Sequence, residues 1–288
     1  MKSFSSKEKF IFQNKKGQTL ELGVFSPFFL DEATGIEQVE NENYTSKTYG
    51  SDGEIFISST VQKRPMSFVG RIRLDKEFNR RKIISFFRPH DKYTIRYEKE
   101  EIVRFIDCYL EKTPSISKDF IPEFTINVIC PNPYWYSEEE RDDLAMWIGA
   151  FEFELEITEE GIEMGYRSPS FIVNVINDGD VDASMIIKFH ALATLTNPHI
   201  INVDTQEIIK VDCELEKGDI LKISTKHGDE SVVLIRNNVE YNYFNHLTLD
   251  SNLKLKVNVG DNLIRYNADT GLDNLEVSIY HIPQFLGV

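Results

Sequence analysis

Phe68, Gly70, Ile72 and Leu74 alternate with Arg71 and Arg73, the period of two that a strand shows when one face is buried. Tyr93, Ile95 and Tyr97 repeat that period, and residues 102–110 and 124–129 are rich in Ile, Val, Phe and Tyr with charged residues between them, so three further strands are predicted. Upstream, residues 20–30 form a mostly apolar run broken by Pro27, and residues 54–59 read as a short strand. Between the strands the period changes. Phe78, Ile83, Ile84 and Phe87 recur mostly at three to five positions, Asp75 stands where a cap belongs and Pro89 ends the pattern, which predicts a helix over residues 76–88.

The peptide Cys130-Pro131-Asn132-Pro133-Tyr134-Trp135-Tyr136 interrupts this half, because two prolines two residues apart have no place in a central strand. It marks a domain junction, with an N-terminal domain over residues 1–136 and a C-terminal domain over 137–288. Ser137 and Glu140 make an S-x-x-E capping box ahead of Leu144, Trp147 and Ile148, which predicts a short helix. Beyond it the helical signal nearly vanishes. Phe151, Phe153, Leu155 and Ile157 alternate with Glu152, Glu154 and Glu156, and apolar stretches follow at 171–176, 185–192, 208–211, 220–223, 231–235, 253–257, 262–267 and 275–280. Turn signals such as Asp178-Gly179, Gly218-Asp219, His227-Gly228 and Thr270-Gly271 separate nearly all of them, the signature of an all-β sandwich or jelly roll.

Over 288 residues, 41% hydrophobic and 27% charged side chains are those of a folded globular chain long enough for two domains. The net charge of −15 repels phosphate backbones and anionic lipid surfaces, which argues against nucleic-acid and membrane partners. No apolar run approaches the length of a membrane span, and the first twelve residues lack a signal-peptide core, so synthesis in a cytoplasm is expected. Cys108, Cys130 and Cys213 are scattered thiols with no C-x-x-C pair and read as core fillers.

No convergent chemistry emerges. Glu152, Glu154 and Glu156 share one strand face, but nothing sets one carboxyl apart from the next as an acid–base pair requires, and a solvated face is the better reading. The histidines (His90, His190, His199, His227, His246, His281) never fall at metal-site spacing, and neither a G-x-S-x-G elbow nor a phosphate loop is present. No catalytic residue, cofactor site or metal site is assigned. Pro131, Pro133, Tyr134, Trp135 and Tyr136 read as a hydrophobic plug between domains.

Ser67-Phe68-Val69-Gly70-Arg71-Ile72, the helix ending Ser85-Phe86-Phe87-Arg88-Pro89, the strand from Tyr93 to Tyr97, and Leu110-Glu111-Lys112-Thr113-Pro114-Ser115 resemble the N-terminal half of the distal tail proteins of siphophages that infect Gram-positive bacteria. The junction from Cys130 to Tyr136 resembles that family's most recognisable peptide. Asn197-Pro198, Gly218-Asp219 with Ile223-Ser224-Thr225, Gly260-Asp261-Asn262 and the closing Phe285-Leu286-Gly287-Val288 follow its order; Val259 stands where the family has the Pro of a Pro-Gly turn.

The resemblance implies a mainly β fold: an N-terminal β-sandwich with one α-helix, tail-tube-like, and a C-terminal galectin-like β-sandwich. It implies a structural virion protein at the tail tip with no enzymatic activity. Six copies would form a ring, as one ring or two. The ring would join the tail tube protein to a tail-associated fibre or lysin protein and to receptor-binding or baseplate proteins. The alternative is a glycan-binding module contacting cell-wall saccharide, which requires a stacking aromatic. Residues 151–288 contain no Trp, which leaves Tyr166, Tyr241, Tyr243, Tyr266 and Tyr280 for that role.

Charge placement adds one expectation. Residues 63–88 hold nine basic and two acidic side chains, whereas residues 137–163 hold eleven acidic and one basic. In a head-to-tail ring Arg80, Arg81 and Lys82 of one copy would meet Glu138, Glu139 and Glu140 of the next, steering assembly more than adding affinity.

Overall fold

The computed structural model describes residues 8–50, 52–144, 147–149, 165–167, 171–226 and 228–288. The chain forms two compact units: Met1–Ser137 together with Gln284–Val288, and Glu138–Pro283. The last five residues, which the sequence reading groups with the C-terminal domain, thus belong to the first unit.

The first unit contains β1 (Glu8–Asn14), β2 (Thr19–Gly23), β3 (Phe28–Thr34), β4 (Asn41–Ser46), β5 (Ile55–Val61), β6 (Arg64–Ile72), α1 (Lys76–Phe86), β7 (Lys92–Lys99), β8 (Ile102–Ile116), β9 (Glu123–Cys130) and β10 (Trp135–Tyr136). The sheet runs β8-β7-β1-β2-β3-β6-β9, and β9 pairs back onto β8, so seven strands close on themselves like a barrel. Closure removes the exposed edges that an open sheet must protect. Inward positions of β6 are Arg64, Met66, Phe68, Gly70 and Ile72, the parity expected from the sequence. Leu74 falls outside the strand and is 62% exposed. Phe68 meets Phe10 and Phe12 edge-on at 5.1 and 5.2 Å, and Phe12 meets Phe87 at 5.2 Å, an aromatic core in which each buried ring contributes about 1.5–3 kcal/mol.

Helix α1 begins and ends close to expectation and buries Asn79, Ile83 and Phe86 on one face. Asp75 occupies the N-cap position in a left-handed conformation, and its side chain makes no capping bond. Its carbonyl accepts from the Asn79 amide, while the Asn79 side chain reaches back to the Leu74 carbonyl and closes the first turn instead.

The second unit contains β11 (Glu140–Asp143), β12 (Trp147–Gly149), β13 (Gly165–Arg167), β14 (Ile172–Asn177), β15 (Met185–Ala191), β16 (Leu195–Thr196), β17 (His199–Asn202), β18 (Ile208–Lys210), β19 (Glu214–Leu215), β20 (Ile220–Ser224), β21 (Ser231–Arg236), β22 (Val239–Asn242), β23 (Gly260–Asn267) and β24 (Leu275–His281). A six-stranded sheet, β11-β24-β15-β20-β21-β22, and a four-stranded sheet, β14-β23-β17-β18, contribute to one core, the sandwich arrangement expected. Ile187 and Phe189 on β15 lie opposite Ile279 and Val277 on β24, and all four are fully buried.

Two expectations fail here. The capping box at Ser137 does not start a helix: residues 140–143 form β11, paired with β24 from Glu140↔His281 to Asp143↔Ser278, which delivers Leu144 into the core. Pairing with an existing sheet edge outweighs the local helix signal. Residues 253–257 are not a continuous strand either; the Asn252 side chain and carbonyl take the Lys254 and Leu255 amides, Val257 makes a single bridge with Ala183, and Leu255 and Val257 are buried. The predicted strand with Glu152, Glu154 and Glu156 lies outside the described residues.

Finally, β25 (Gln284–Phe285) returns to pair with β10, Trp135 opposite Phe285 and Tyr136 opposite Gln284.

Candidate functional site

The junction peptide is integrated into the first unit. Trp135 is fully buried, its indole N–H donates to the Ile36 carbonyl at 3.1 Å, and its ring lies 6.2 Å from Tyr97. Tyr136 stacks on Phe105 at 5.8 Å and reaches Asp107 through its hydroxyl. Pro133 is buried, Pro131 is exposed, and Tyr134 is half-buried with its amide on Asn132. Cys130 packs its Sγ 3.5 Å from the Met66 sulfur. All of these partners belong to the first unit.

The residue that organises this region is Arg64, at the start of β6. It is 2% exposed, and its guanidinium donates to four carbonyls in three segments: Nε to Pro133 O at 2.6 Å, Nη1 to Ile36 O at 2.6 Å and Gly35 O at 3.1 Å, and Nη2 to Leu286 O at 2.5 Å. Burial lowers its pKa from the ordinary guanidinium value. Gly35 has φ 79°, and a Cβ there would stand 2.1 Å from the Pro65 carbonyl, so only glycine lets this turn approach. The signal for Arg64 is present in the sequence, since it shares strand parity with Met66 and Phe68.

None of this is arranged for chemistry. A hydrogen bond with Cys130, and then burial, raise the Cys108 pKa, and burial raises that of Cys213 to about 12, so neither is a ready nucleophile. Among the described residues no group of three or more Asp, Glu, His or Cys side chains is placed to hold a metal ion. His190 pairs with Glu276 at 2.9 Å, His199 bonds the Asn197 carbonyl, and His281 lies buried near Glu140 and Asp142. His90 is exposed, and His227 lies outside the described residues. A recess of about 820 Å³ in the first unit is lined by Glu8, Asp31, Glu32, Glu37, Tyr97 and Lys99 among others, and Asp31 is engaged by Arg71 at 2.9 Å.

The charged triplets are solvent-facing but unequal. Arg81 and Lys82 are exposed on α1, whereas Arg80 turns to the Ser117 carbonyl at 3.1 Å. Glu138, Glu139 and Glu140 are exposed, with Glu140 near His281, and they fall in the other unit from the helix. Of the tyrosines weighed for glycan stacking, Tyr266 is buried, Tyr243 stacks on His246 at 4.4 Å and Tyr280 lies under Lys188 at 4.2 Å. Tyr241 is 48% exposed, beside a shallow recess with Phe244, Glu230, Glu240 and Asn242. The side chain of Tyr166 lies outside the described residues.

Residues 15–130 match the model of the phage tail protein RIFT-related domain. That match falls within the first unit. The whole chain shares a fold with the crystal structure of the SPP1 Dit protein, a paradigm of the hub adsorption apparatus in phages infecting Gram-positive bacteria. The two are 15% identical with a TM-score of 0.69, over 96% of this chain and 99% of that one. Chains of the phage P2 baseplate in its activated conformation also match: with calcium at 13% identity, TM-score 0.51, and with strontium at 12%, TM-score 0.50, each over 98% of this chain and 99% of that one. No curated protein matches. The resemblance to siphophage distal tail proteins is borne out, and the tail-domain family and these neighbours are structural components of phage particles, not enzymes.

Proposed function

We propose that this protein is a distal tail component of a phage of Gram-positive bacteria, acting as the hub of the tail tip. The observation that carries the reading is a likeness to a tail hub protein that extends over both units, joined to a tail-domain match within the first. Six copies form a ring, one or two per particle. The ring continues the tail tube, docks the fibre or lysin protein below, and offers receptor-binding or baseplate proteins a surface on the second, galectin-like unit. Ring closure needs unlike surfaces that meet head to tail, and the exposed Arg81 and Lys82 supply a basic one. At −15 per copy the ring as a whole repels DNA, which suits passage and not retention.

Negative-stain microscopy of the purified protein tests this: round particles with a central hole are expected. A monomer mass in light scattering at every concentration, with tail partners present as well, overturns the ring. Retention of a DNA duplex at micromolar protein and low salt overturns the passage reading.

A further inference from the structure

We propose that Cys108 and Cys130 form a disulfide across the β8–β9 seam once the protein has left a reducing cytoplasm, with a small-molecule disulfide as the oxidant. Where the protein goes rests on the particle reading above; the chemistry of the pair does not.

Strands β8 and β9 pair with Tyr109 opposite Ile129, and one step further along that antiparallel register sets Cys108 opposite Cys130. Tyr109 and Ile129 point outward, so their neighbours point inward, and both thiols are fully buried in the same core. Residues directly opposite in an antiparallel pair have Cα atoms about 4.5–5.5 Å apart, inside the roughly 4.4–6.8 Å that a disulfide spans. The two thiols already meet, since a hydrogen bond between them is the largest cause of the raised Cys108 pKa. The other sulfur at hand, that of Met66 at 3.5 Å from Cys130, is a thioether and does not compete for the bond.

The place of the pair gives the bond a use. Strand β9 closes the sheet by returning onto β8, and the closing ladder is irregular, with register shifts between Leu110 and Lys112 and between Lys112 and Ser115. Cys108 and Cys130 stand just past the Tyr109↔Ile129 end of that ladder, where strands open first. Cys130 also lies opposite Arg64, at the head of the junction peptide. A covalent bond here fixes the closure beside the Arg64 hub.

Protonated, buried thiols are poor nucleophiles, so in a reducing cytoplasm the pair stays a dithiol. Outside, opening of the seam end lets one thiol lose its proton and attack a small disulfide such as oxidised glutathione. One small thiol leaves, and a mixed disulfide remains on the protein. The second cysteine, as thiolate, attacks the protein sulfur of that bond and expels the other small thiol. The protein gives up two protons and two electrons, and the small disulfide takes up both as it becomes two thiols. Closing residues 108–130 into a loop restrains the unfolded chain and so stabilises the folded one.

The test uses the full chain carrying Cys213→Ala, which removes the thiol of the second unit. The reduced protein is held with excess oxidised glutathione, in plain buffer and in urea just below the unfolding transition, then quenched in acid, unfolded and labelled with N-ethylmaleimide. Both thiols are expected to escape labelling, with two proteolytic peptides joined through Cys108 and Cys130 until dithiothreitol separates them. The urea midpoint read by Trp135 fluorescence is expected to rise on oxidation and return on reduction, and Cys130→Ala in the same chain to abolish that shift.

Two labelled thiols after oxidation under both conditions overturn the proposal. So does glutathione retained on either cysteine, or an oxidised chain that unfolds at lower urea than the reduced one. A chain that oxidises as expected but never forms rings removes the ring reading and leaves this bond standing.

Discussion

Arg64 is a buried cation whose guanidinium donates to four main-chain carbonyls, so its worth lies in geometry and not in charge pairing. Four segments, Gly35-Ile36, β6, Pro133 and Leu286, converge on one planar fork. Arg64→Met leaves four carbonyls, those of Pro133 and Ile36 in buried bonds, without this donor and should cost about 3 kcal/mol or more of first-unit stability. Arg64→Lys keeps the charge but loses the fork, and should recover less than half of that. Urea unfolding followed by the fluorescence of buried Trp135 reads both. In the second unit Asp219, with a 4% exposed side chain, receives Arg236 at 2.5 Å and the Glu216 amide at 2.8 Å. Burial alone raises its pKa, but these hydrogen bonds outweigh it and the net shift is downward. A depressed folded pKa gives stability that is present above the unfolded carboxylate range, near pH 4, and lost as pH falls through the folded value. Asp219→Asn should therefore cost about 2 kcal/mol at pH 7 and progressively less as pH falls below the unfolded carboxylate range, read as the difference between the two denaturation-versus-pH curves.

At the scale of elements, what was legible depended on whether one face of a segment is buried. Strands β6, β7, β15 and β24 alternate in the sequence because one side packs in a core, and α1 shows its helical spacing for the same reason. Only the end of the β4–β5 hairpin, residues 54–59, shows as a strand in the sequence, because a ribbon exposed on both faces has no alternation to show. Residues 137–144 misled for another cause: an S-x-x-E box is local, whereas the edge of β24 that recruits β11 is assembled from residues more than a hundred positions away. The candidate site was half legible. The junction peptide stands out by its prolines and aromatics, but Arg64 is one of nine basic residues over 63–88 and only its strand parity sets it apart. Gly70 on β6 belongs to the legible part, and its role is steric: a Cβ there would stand 2.3 Å from the Phe29 carbonyl and 2.5 Å from the Phe124 ring. Gly70→Ala should separate β3, β6 and β9 locally and lower stability by about 2–4 kcal/mol, measurable as a drop in Tm, while Val69→Ala on the outward face changes it far less.

For the molecule as a whole, the pairing of β10 with β25 makes the second unit an insertion between two neighbouring strands of the first. Since Tyr136 lies opposite Gln284, a two-residue Asn-Gly turn in place of residues 137–283 completes a hairpin. That shortened chain should remain soluble and unfold cooperatively with Trp135 still buried; a non-cooperative thermal transition with solvent-exposed tryptophan emission contradicts the prediction. The same topology bears on durability. A module added at a chain end depends on one peptide linker and is lost at the first break, but here the backbone crosses between units twice, after Ser137 and before Gln284. A single proteolytic nick at either crossing leaves the second unit covalently attached through the other, so releasing it takes two independent cuts.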